Sequence, residues 1–222
     1  MFRIRPHRFR GVFTDGRGIY TQNLTPGTTF YDERTLKQDG IEYRKWEPFR
    51  SKLSAFIQKG CKTFPFREKS RVLYLGAASG TTASHISDIA TGGEIYCLEI
   101  SKIPFQKLLF LAGKRQNIIP LLADASFPDT YGSVIPQVDV IYQDISQRDQ
   151  VELFLKNIGY LRKGGFGILM VKARSINVAV EPRKIFSAVE TSLKQHGLKV
   201  IEKVELSPYI KDHAAIAVQK NP

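Results

Sequence analysis

From Arg71 onward, short apolar runs alternate with segments whose apolar residues recur every three or four positions. The runs at 71–75, 94–99, 118–122, 138–144 and 166–173 predict strands, and the segments 81–90, 103–115 and 148–161 predict helices. Pro182 opens a further helix that runs to about His196 and stops at Gly197. Two more strand runs, 198–205 and 214–218, follow, with a turn at Ser207-Pro208 between them. Strands alternating with helices imply an α/β fold whose parallel sheet is covered on both faces, and the closing pair implies an antiparallel hairpin at one edge.

The first part of the chain has a different texture. Turn signals at Thr14-Asp15-Gly16, Thr25-Pro26-Gly27 and Gln38-Asp39-Gly40 separate short β-favouring segments at 18–21, 28–31 and 41–43. Residues 1–47 therefore read as a small N-terminal β-unit and residues 48–222 as the main domain. At the junction Pro48 is expected to open a helix that Gly60 closes, with Phe49, Leu53, Phe56 and Ile57 on one face.

Composition narrows the function classes. With 222 residues, 42% of them hydrophobic, the chain can bury a substantial core. Its apolar stretches, such as 165–171, fall far short of the ~18 residues needed to span a bilayer, so no membrane segment is expected. The basic start MFRIRPHRFR has no apolar segment behind it, so no secretory signal is expected either. Cys61 and Cys97, the two cysteines, suit a reducing cytosol, and His7, His85 and His196 form no metal-ligand spacing, so no metal is expected. The formal charge is +12, and residues 1–70 carry 15 Lys/Arg against 7 Asp/Glu. Such a basic face raises the local concentration of polyanions, which makes nucleic acid the leading partner class.

Polar residues gather where the predicted parallel strands end, the edge at which open α/β sheets bind ligands. The first strand runs into Gly76-Ala77-Ala78-Ser79-Gly80-Thr81-Thr82, and the next four end at Glu99, Asp124, Asp144 and Lys172. A tight strand-to-helix turn would use the same glycines, and the loop is not GxGxxG. Glu99, 19 residues past Gly80, separates the two readings, because a carboxylate there accepts hydrogen bonds from a ribose diol. Asp124, followed by Ala125, reads either as a turn cap or as a partner of an adenine amino group, and Ile100 either covers the base or joins the core. Lys172 continues the Ile168/Met170 face of its strand, where it can act as a base or stabilise an oxyanion; the plain alternative is a lysine with its head in water. Asp144 ends the adjacent strand and is expected to pair with it. Lys52 alone reads as an exposed helix lysine, His213 as a turn histidine, and Cys97 has no activating partner.

These segments closely resemble fibrillarin, the ribose 2′-O-methyltransferase family of box C/D guide-RNA particles. The resemblance rests on YLGAASGTTASHISD (74–88), YRKWEPFRSKLSA (43–55), DVIYQDISQ (139–147), GGFGILMVKARSI (164–176) and KDHA (211–214), and it runs through essentially the whole chain. It implies a class I methyltransferase fold, Rossmann-like, with a mostly parallel seven-stranded sheet. It implies S-adenosyl-L-methionine as cofactor, with Gly76, Ala78, Thr81 and Thr82 at its methionine part, Glu99 at the ribose, Ile100 and Asp124–Ala125 at the adenine, and Asp144, Ile145, Ser146 and Gln147 at the sulfonium end. The family's Lys-Asp-Lys catalytic set maps to Lys52, Asp144 and Lys172, with His213 a fourth member. The implied partners are box C/D guide RNA, target rRNA or tRNA, a Nop-domain scaffold protein and a kink-turn-binding ribosomal-protein-like subunit. With no Gly/Arg-rich tail before Met1, the chain resembles the archaeal form, expected in the cytoplasm. It departs from the family at Glu47, where Asn is usual, at Ile145-Ser146, where Val-Ala is usual, and at Ile100, where Phe is usual. Ile100 has no ring to stack on adenine, which implies weaker cofactor affinity.

Three other readings are less well supplied. A nicotinamide oxidoreductase would want GxGxxG and a histidine near the strand ends. A base-amino methyltransferase would want an Asn/Asp-Pro-Pro-aromatic segment where Asp144-Ile145-Ser146-Gln147 stands. A subunit that binds RNA without chemistry would have no need of Lys52, Asp144 and Lys172 together.

Overall fold

The computed structural model describes residues 3–221. Two sheets account for the strands. The first is five-stranded and antiparallel, ordered β1-β2-β3-β5-β4, from β1 (Arg5–Pro6), β2 (Val12–Thr14), β3 (Ile19–Gln22), β4 (Thr35–Gln38) and β5 (Ile41–Lys45). After the short helix α1 (Lys52–Gln58) come β6 (Arg71–Leu75), α2 (Thr81–Ile89), β7 (Glu94–Glu99), α3 (Lys102–Lys114), β8 (Ile118–Leu122), β9 (Val138–Gln143) and α4 (Gln150–Asn157). The chain closes with β10 (Leu161–Lys172), α5 (Ala173–Ile176), α6 (Pro182–Gln195), β11 (Leu198–Glu205) and β12 (His213–Lys220). The second sheet has seven strands in the order β11-β12-β10-β9-β6-β7-β8. Its first five strands in sequence run parallel, while β12 pairs antiparallel with both β10 and β11, as the edge hairpin predicts.

The parallel strands match their apolar runs because both faces of each are covered. Val72, Tyr74, Val140, Tyr142, Ile168 and Met170 face one core, which also takes in Phe9, Val12, Ile19 and Trp46 from the N-terminal unit. Leu73, Leu75, Ile141, Leu169 and Val171 face the other core, under α4 and α6.

The N-terminal unit and the junction that follows it depart from expectation in three places. Residues 28–31 form no strand: the backbone N–H groups of Phe30 and Tyr31 donate to the buried Glu33 carboxylate at 2.9–3.2 Å, which takes the donors a ladder needs. The partner of β5 is instead β4. Pro48 does not open α1; residues 48–50 make a turn, and the extended Ser51 caps a helix that begins at Lys52. Phe49 consequently leaves the apolar stripe, is 67% exposed and meets the Tyr209 ring edge-on at 5.4 Å.

A largely buried polar network fastens the N-terminal sheet to α2 and to Arg115 at the end of α3. The Arg44 guanidinium donates to Glu33 (2.6 Å) and Asp88 (2.9 Å), and Arg115 reaches the other Asp88 oxygen. His85 stacks on Trp46 with centroids 4.8 Å apart, its Nδ1 2.7 Å from Thr21 Oγ1 and its Nε2 2.6 Å from the Tyr31 hydroxyl. Burial first, then the Arg44 and Arg115 guanidiniums, hold the His85 pKa well below 6.5. The folded state keeps the ring neutral while the unfolded chain protonates it below pH 6.5. Its contribution to stability is therefore present above that pH and lost as pH falls. The expected slope from this one group is about 1.4 kcal/mol per pH unit. Urea unfolding at pH 7.5 and pH 5 checks it: His85→Gln should flatten the decline, and an unchanged slope would remove His85 as its source.

Candidate active site at the carboxyl ends of the strands

The loop after β6 is bent onto its neighbours. Gly76 has φ +79°, and a Cβ there would lie 2.8 Å from the Asp144 carbonyl oxygen, so only glycine lets the loop touch the end of β9. The N–H groups of Gly76 and Ala77 donate to the Leu98 carbonyl at 3.0 and 2.9 Å. Ala78 sits in the left-handed region, with φ +48°. Its N–H donates to Glu99 Oε2 at 2.8 Å, while Glu99 Oε1 accepts from Ser101 N–H at 2.8 Å. Each Glu99 oxygen thus spends one lone pair fixing the loop and keeps another for a ligand.

These residues bound a cleft of about 240 Å³ lined by Gly76, Ala78, Glu99, Ile100, Asp124, Ala125, Asp144, Ile145, Ser146 and Gln147. Leu98, Ala123 and Leu153 complete its wall and were missed by sequence reasoning, since apolar positions at strand ends and on the α4 face look the same as core. The volume lies just under the ~300–1,000 Å³ of typical small-molecule pockets, which suits a nucleoside lying partly open to solvent. An anchored acid at the ribose position, small residues beneath it and the exposed Ile100 at the rim fit S-adenosylmethionine. Asp124 Oδ1 accepts from Ser126 N–H at 2.8 Å, a turn bond that still leaves its second oxygen free of this contact. Thr81 and Thr82 do not line the cleft. Thr82 is buried and its Oγ1 lies 2.9 Å from Ser51 Oγ, on the side of the N-terminal unit. A larger cavity of about 1,170 Å³ opens at the amino ends of the strands, but its Arg71–Glu94 and Arg162–Asp139 charges pair off at 3.5 and 2.6 Å. The convergent polar groups are in the smaller cleft.

Of the four residues expected to be catalytic, Asp144 lines that cleft. Lys52 Nζ lies 2.6 Å from Asp144 Oδ1, with side chains 20% and 15% exposed. Asp144 therefore pairs with Lys52, correcting the expected Asp144–Lys172 pair: α1 delivers its first residue to the end of β9. Lys172 ends β10 directly across from His213 on β12. The Gln150 side chain brackets its backbone, accepting from Lys172 N–H at 2.9 Å and donating to the Lys172 carbonyl at 3.1 Å. Nothing in the sequence around Gln150 announces that clamp. His213 Nδ1 lies 2.6 Å from the Lys211 carbonyl, which only accepts, so Nδ1 carries the proton and Nε2 is the basic nitrogen. Burial chiefly lowers the His213 pKa; Lys52 and Lys172 lower it further, while the Lys211 carbonyl and Asp144 raise it. All three charged residues thus act on one imidazole. Burial pushes the Cys97 thiol well up, as suits an inert core cysteine.

The seven-stranded order with one antiparallel strand and this cleft at the strand ends define a class I S-adenosylmethionine-dependent methyltransferase. The sequence profile of the Fibrillarin family matches residues 4–222. A fibrillarin-like rRNA/tRNA 2′-O-methyltransferase of Methanopyrus kandleri is 48% identical over 97% of each chain. Aeropyrum pernix fibrillarin, solved with natively bound S-adenosyl-L-methionine, superposes with a TM-score of 0.89 at 40% identity, covering 98% of this chain and 100% of that one. The fibrillarin of a solved fibrillarin/Nop5p complex gives a TM-score of 0.87 at 42% identity, over 95% and 98% of the two chains. The chain belongs to the fibrillarin family.

Proposed function

We propose that the chain is an RNA ribose 2′-O-methyltransferase that uses S-adenosyl-L-methionine and acts on rRNA and tRNA. A box C/D guide RNA directs it within a ribonucleoprotein particle. The observation that carries this reading is the grouping of Lys52, Asp144, Lys172 and His213, whose charges act on one another, beside a nucleoside-sized cleft that Asp144 lines. The relative's activity on rRNA and tRNA and the cofactor bound to the Aeropyrum protein support it. The fibrillarin/Nop5p complex supports a Nop-domain scaffold as partner. A kink-turn-binding subunit completes the particle, which works in the cytoplasm. Among the described residues no helix is long and apolar enough to cross a membrane. Residues 1–47 form the β-unit and 48–222 the methyltransferase domain.

Glu99 would hold the cofactor's ribose, Asp124, Ala125 and Ile100 its adenine, and the loop from Gly76 through Ala78, with Thr81 and Thr82, the methionine part. Asp144 and 145–147 close the sulfonium end. When bound, the cofactor supplies a methyl group on a positively charged sulfur. Lys172, as the free amine, takes the proton of the target 2′-hydroxyl and later returns it to solvent. Lys52, held by Asp144, stabilises negative charge as it develops on that oxygen. Much of the acceleration comes from holding the oxygen in line with the methyl carbon, a task the rigid strand ends suit. Base pairing with the guide chooses the nucleotide, so this chain needs to grip only backbone. A groove of about 590 Å³ on the N-terminal unit, lined by Arg5, His7, Arg8 and Arg17 and by no carboxylate among the described residues, suits phosphates.

Transfer of labelled methyl to RNA tests the reading, with scaffold, kink-turn protein and matching guide present and then omitted one at a time. The expected result is transfer that needs the partners and vanishes when the target nucleotide is 2′-deoxy. Transfer that survives the deoxy substitution would overturn ribose methylation, and transfer indifferent to guide sequence would overturn guidance.

A further inference from the structure

We infer that Gln150 is a positioning residue for methyl transfer: its buried side-chain amide ties the backbone of Lys172 to the 145–147 segment of the cofactor cleft, and so sets the base against the methyl group it serves. The inference rests on the reading of Lys172 as that base.

Lys172 stands where the sheet runs out on one side. It is the last residue of β10, and α5 begins at the next position. Toward β12 the strand is paired to its end, with Lys172 opposite His213. Toward β9 the ladder stops earlier, at Leu169 opposite Gln143. Past that point the Lys172 backbone has the Gln150 side chain where a strand would lie. Gln150 Oε1 accepts from Lys172 N–H at 2.9 Å, and Nε2 donates to the Lys172 carbonyl at 3.1 Å. A side-chain amide offers the same donor and acceptor as a peptide group, so it stands in for the missing neighbour.

The same amide reaches the cofactor side, where Nε2 also donates to the Gln147 carbonyl at 2.6 Å. A backbone N–H only donates and a carbonyl only accepts, so these three bonds fix which way the amide points and use both of its protons. Gln150 has no solvent exposure, so water does not compete for them. Its own carbonyl accepts from Gln143 Nε2 at 2.7 Å, and Gln143, equally buried, precedes Asp144 in the chain. The first residue of α4 is thus tied to Lys172, to the segment that lines the cleft and to the strand end that carries Asp144. A lysine amine swings on a flexible stem, so its reach is set by where its backbone is held. Removing the amide unties Lys172 from the cleft while leaving its pairing with β12, and the Ala173 N–H bond to the Asp212 carbonyl, in place.

The test uses the assembled particle with guide and target, and compares Gln150→Met, Lys172→Met and their double variant with wild type. Gln150→Met keeps an unbranched side chain of similar length and removes all three bonds. Single-turnover methyl transfer at saturating S-adenosylmethionine is followed with enzyme in excess, so that slow residual transfer is measurable. The dissociation constant for that cofactor and the melting temperature are read for each variant. The expected result for Gln150→Met is a fall in rate of about 10- to 100-fold, the cost of a small misplacement of a reacting group, with a much smaller change in cofactor affinity. The double variant should be no slower than Lys172→Met, because Gln150 acts through that lysine. A crystal structure of Gln150→Met with cofactor bound should show the Lys172 backbone displaced while it stays paired with His213. A normal rate at saturation with weaker cofactor affinity would make Gln150 a support of the cleft alone and overturn the inference. So would a further loss in the double variant, a Lys172 backbone that has not moved, or a loss that follows melting temperature and disappears on cooling. Should Gln150→Met not fold, Gln150→Glu takes its place: it keeps the volume, and even when protonated it donates one bond where the amide donates two. If Lys172→Met keeps the full rate, the reading of Lys172 as the base fails and the inference with it. If Lys172→Met is slow while Gln150→Met is normal, only the positioning role fails.

Discussion

Asp144→Ala is expected to lower the single-turnover rate of methyl transfer by about 10²–10⁴-fold, the range for a residue that serves acid–base chemistry. The Asp144 carboxylate is the charged partner of Lys52 at 2.6 Å, and neither side chain is more than 20% exposed. Without it the ammonium loses both its counter-ion and its anchor, and the group meant to stabilise the developing alkoxide no longer points at it. Asp144 also lines the cofactor cleft, so part of the loss will show as weaker cofactor binding, which is why the comparison belongs at saturation. Lys52→Ala should lose a similar amount. The double variant should lose little more, because residues that act as a unit are not additive. A rate within tenfold of wild type in Asp144→Ala would remove the pair from the chemistry and leave Lys172 with His213 as the working groups.

That pairing shows where reading the chain stops. The parallel strands were legible because burial on both faces writes itself as an unbroken apolar run, and the acids and the lysine that end those runs stand out against it. The cleft lining follows from the same logic, since residues closing adjacent parallel strands must converge. The partner of Asp144 was not legible. Lys52 lies 92 residues away on a different element, and its position depends on Ser51, not Pro48, starting the helix. Strands β1 and β2 have two and three residues, too short for any period to register. Residues 28–31 have strand-forming side chains, yet Glu33, three residues from Phe30, takes their backbone donors. A carboxylate turned inward onto its own chain leaves no trace in hydropathy. Thr82 is assigned to the cofactor by resemblance alone, and its 2.9 Å contact with Ser51 Oγ had no signal in the sequence.

Asp88→Ala is expected to lower the unfolding free energy by about 3–5 kcal/mol, the cost of removing one member from a buried ionic cluster. The Asp88 carboxylate, with no side-chain exposure, accepts from Thr21 Oγ1 at 2.6 Å, from Leu24 N–H at 3.0 Å and from Arg44 at 2.9 Å, and it meets Arg115 as well. Alanine would leave two fully buried guanidiniums with Glu33 as the nearest remaining carboxylate in the network, and that acid already pairs with Arg44. Arg115 would keep only neutral partners such as Asn23 Oδ1 at 3.1 Å. Against a total stability of about 5–15 kcal/mol for a typical domain, such a loss brings the chain near unfolding. The functional consequence follows from the same contacts. The cluster seats the N-terminal sheet on α2, and Trp46, which stacks on His85 of that helix, holds Ser51 and through it Lys52. The variant should therefore lose catalytic rate before it loses cofactor binding as temperature rises. Urea unfolding together with transfer rates at two temperatures checks both parts. A loss under about 1 kcal/mol would mean that water enters and solvates the arginines, and that the two sheets are held by their shared apolar core instead of by charge.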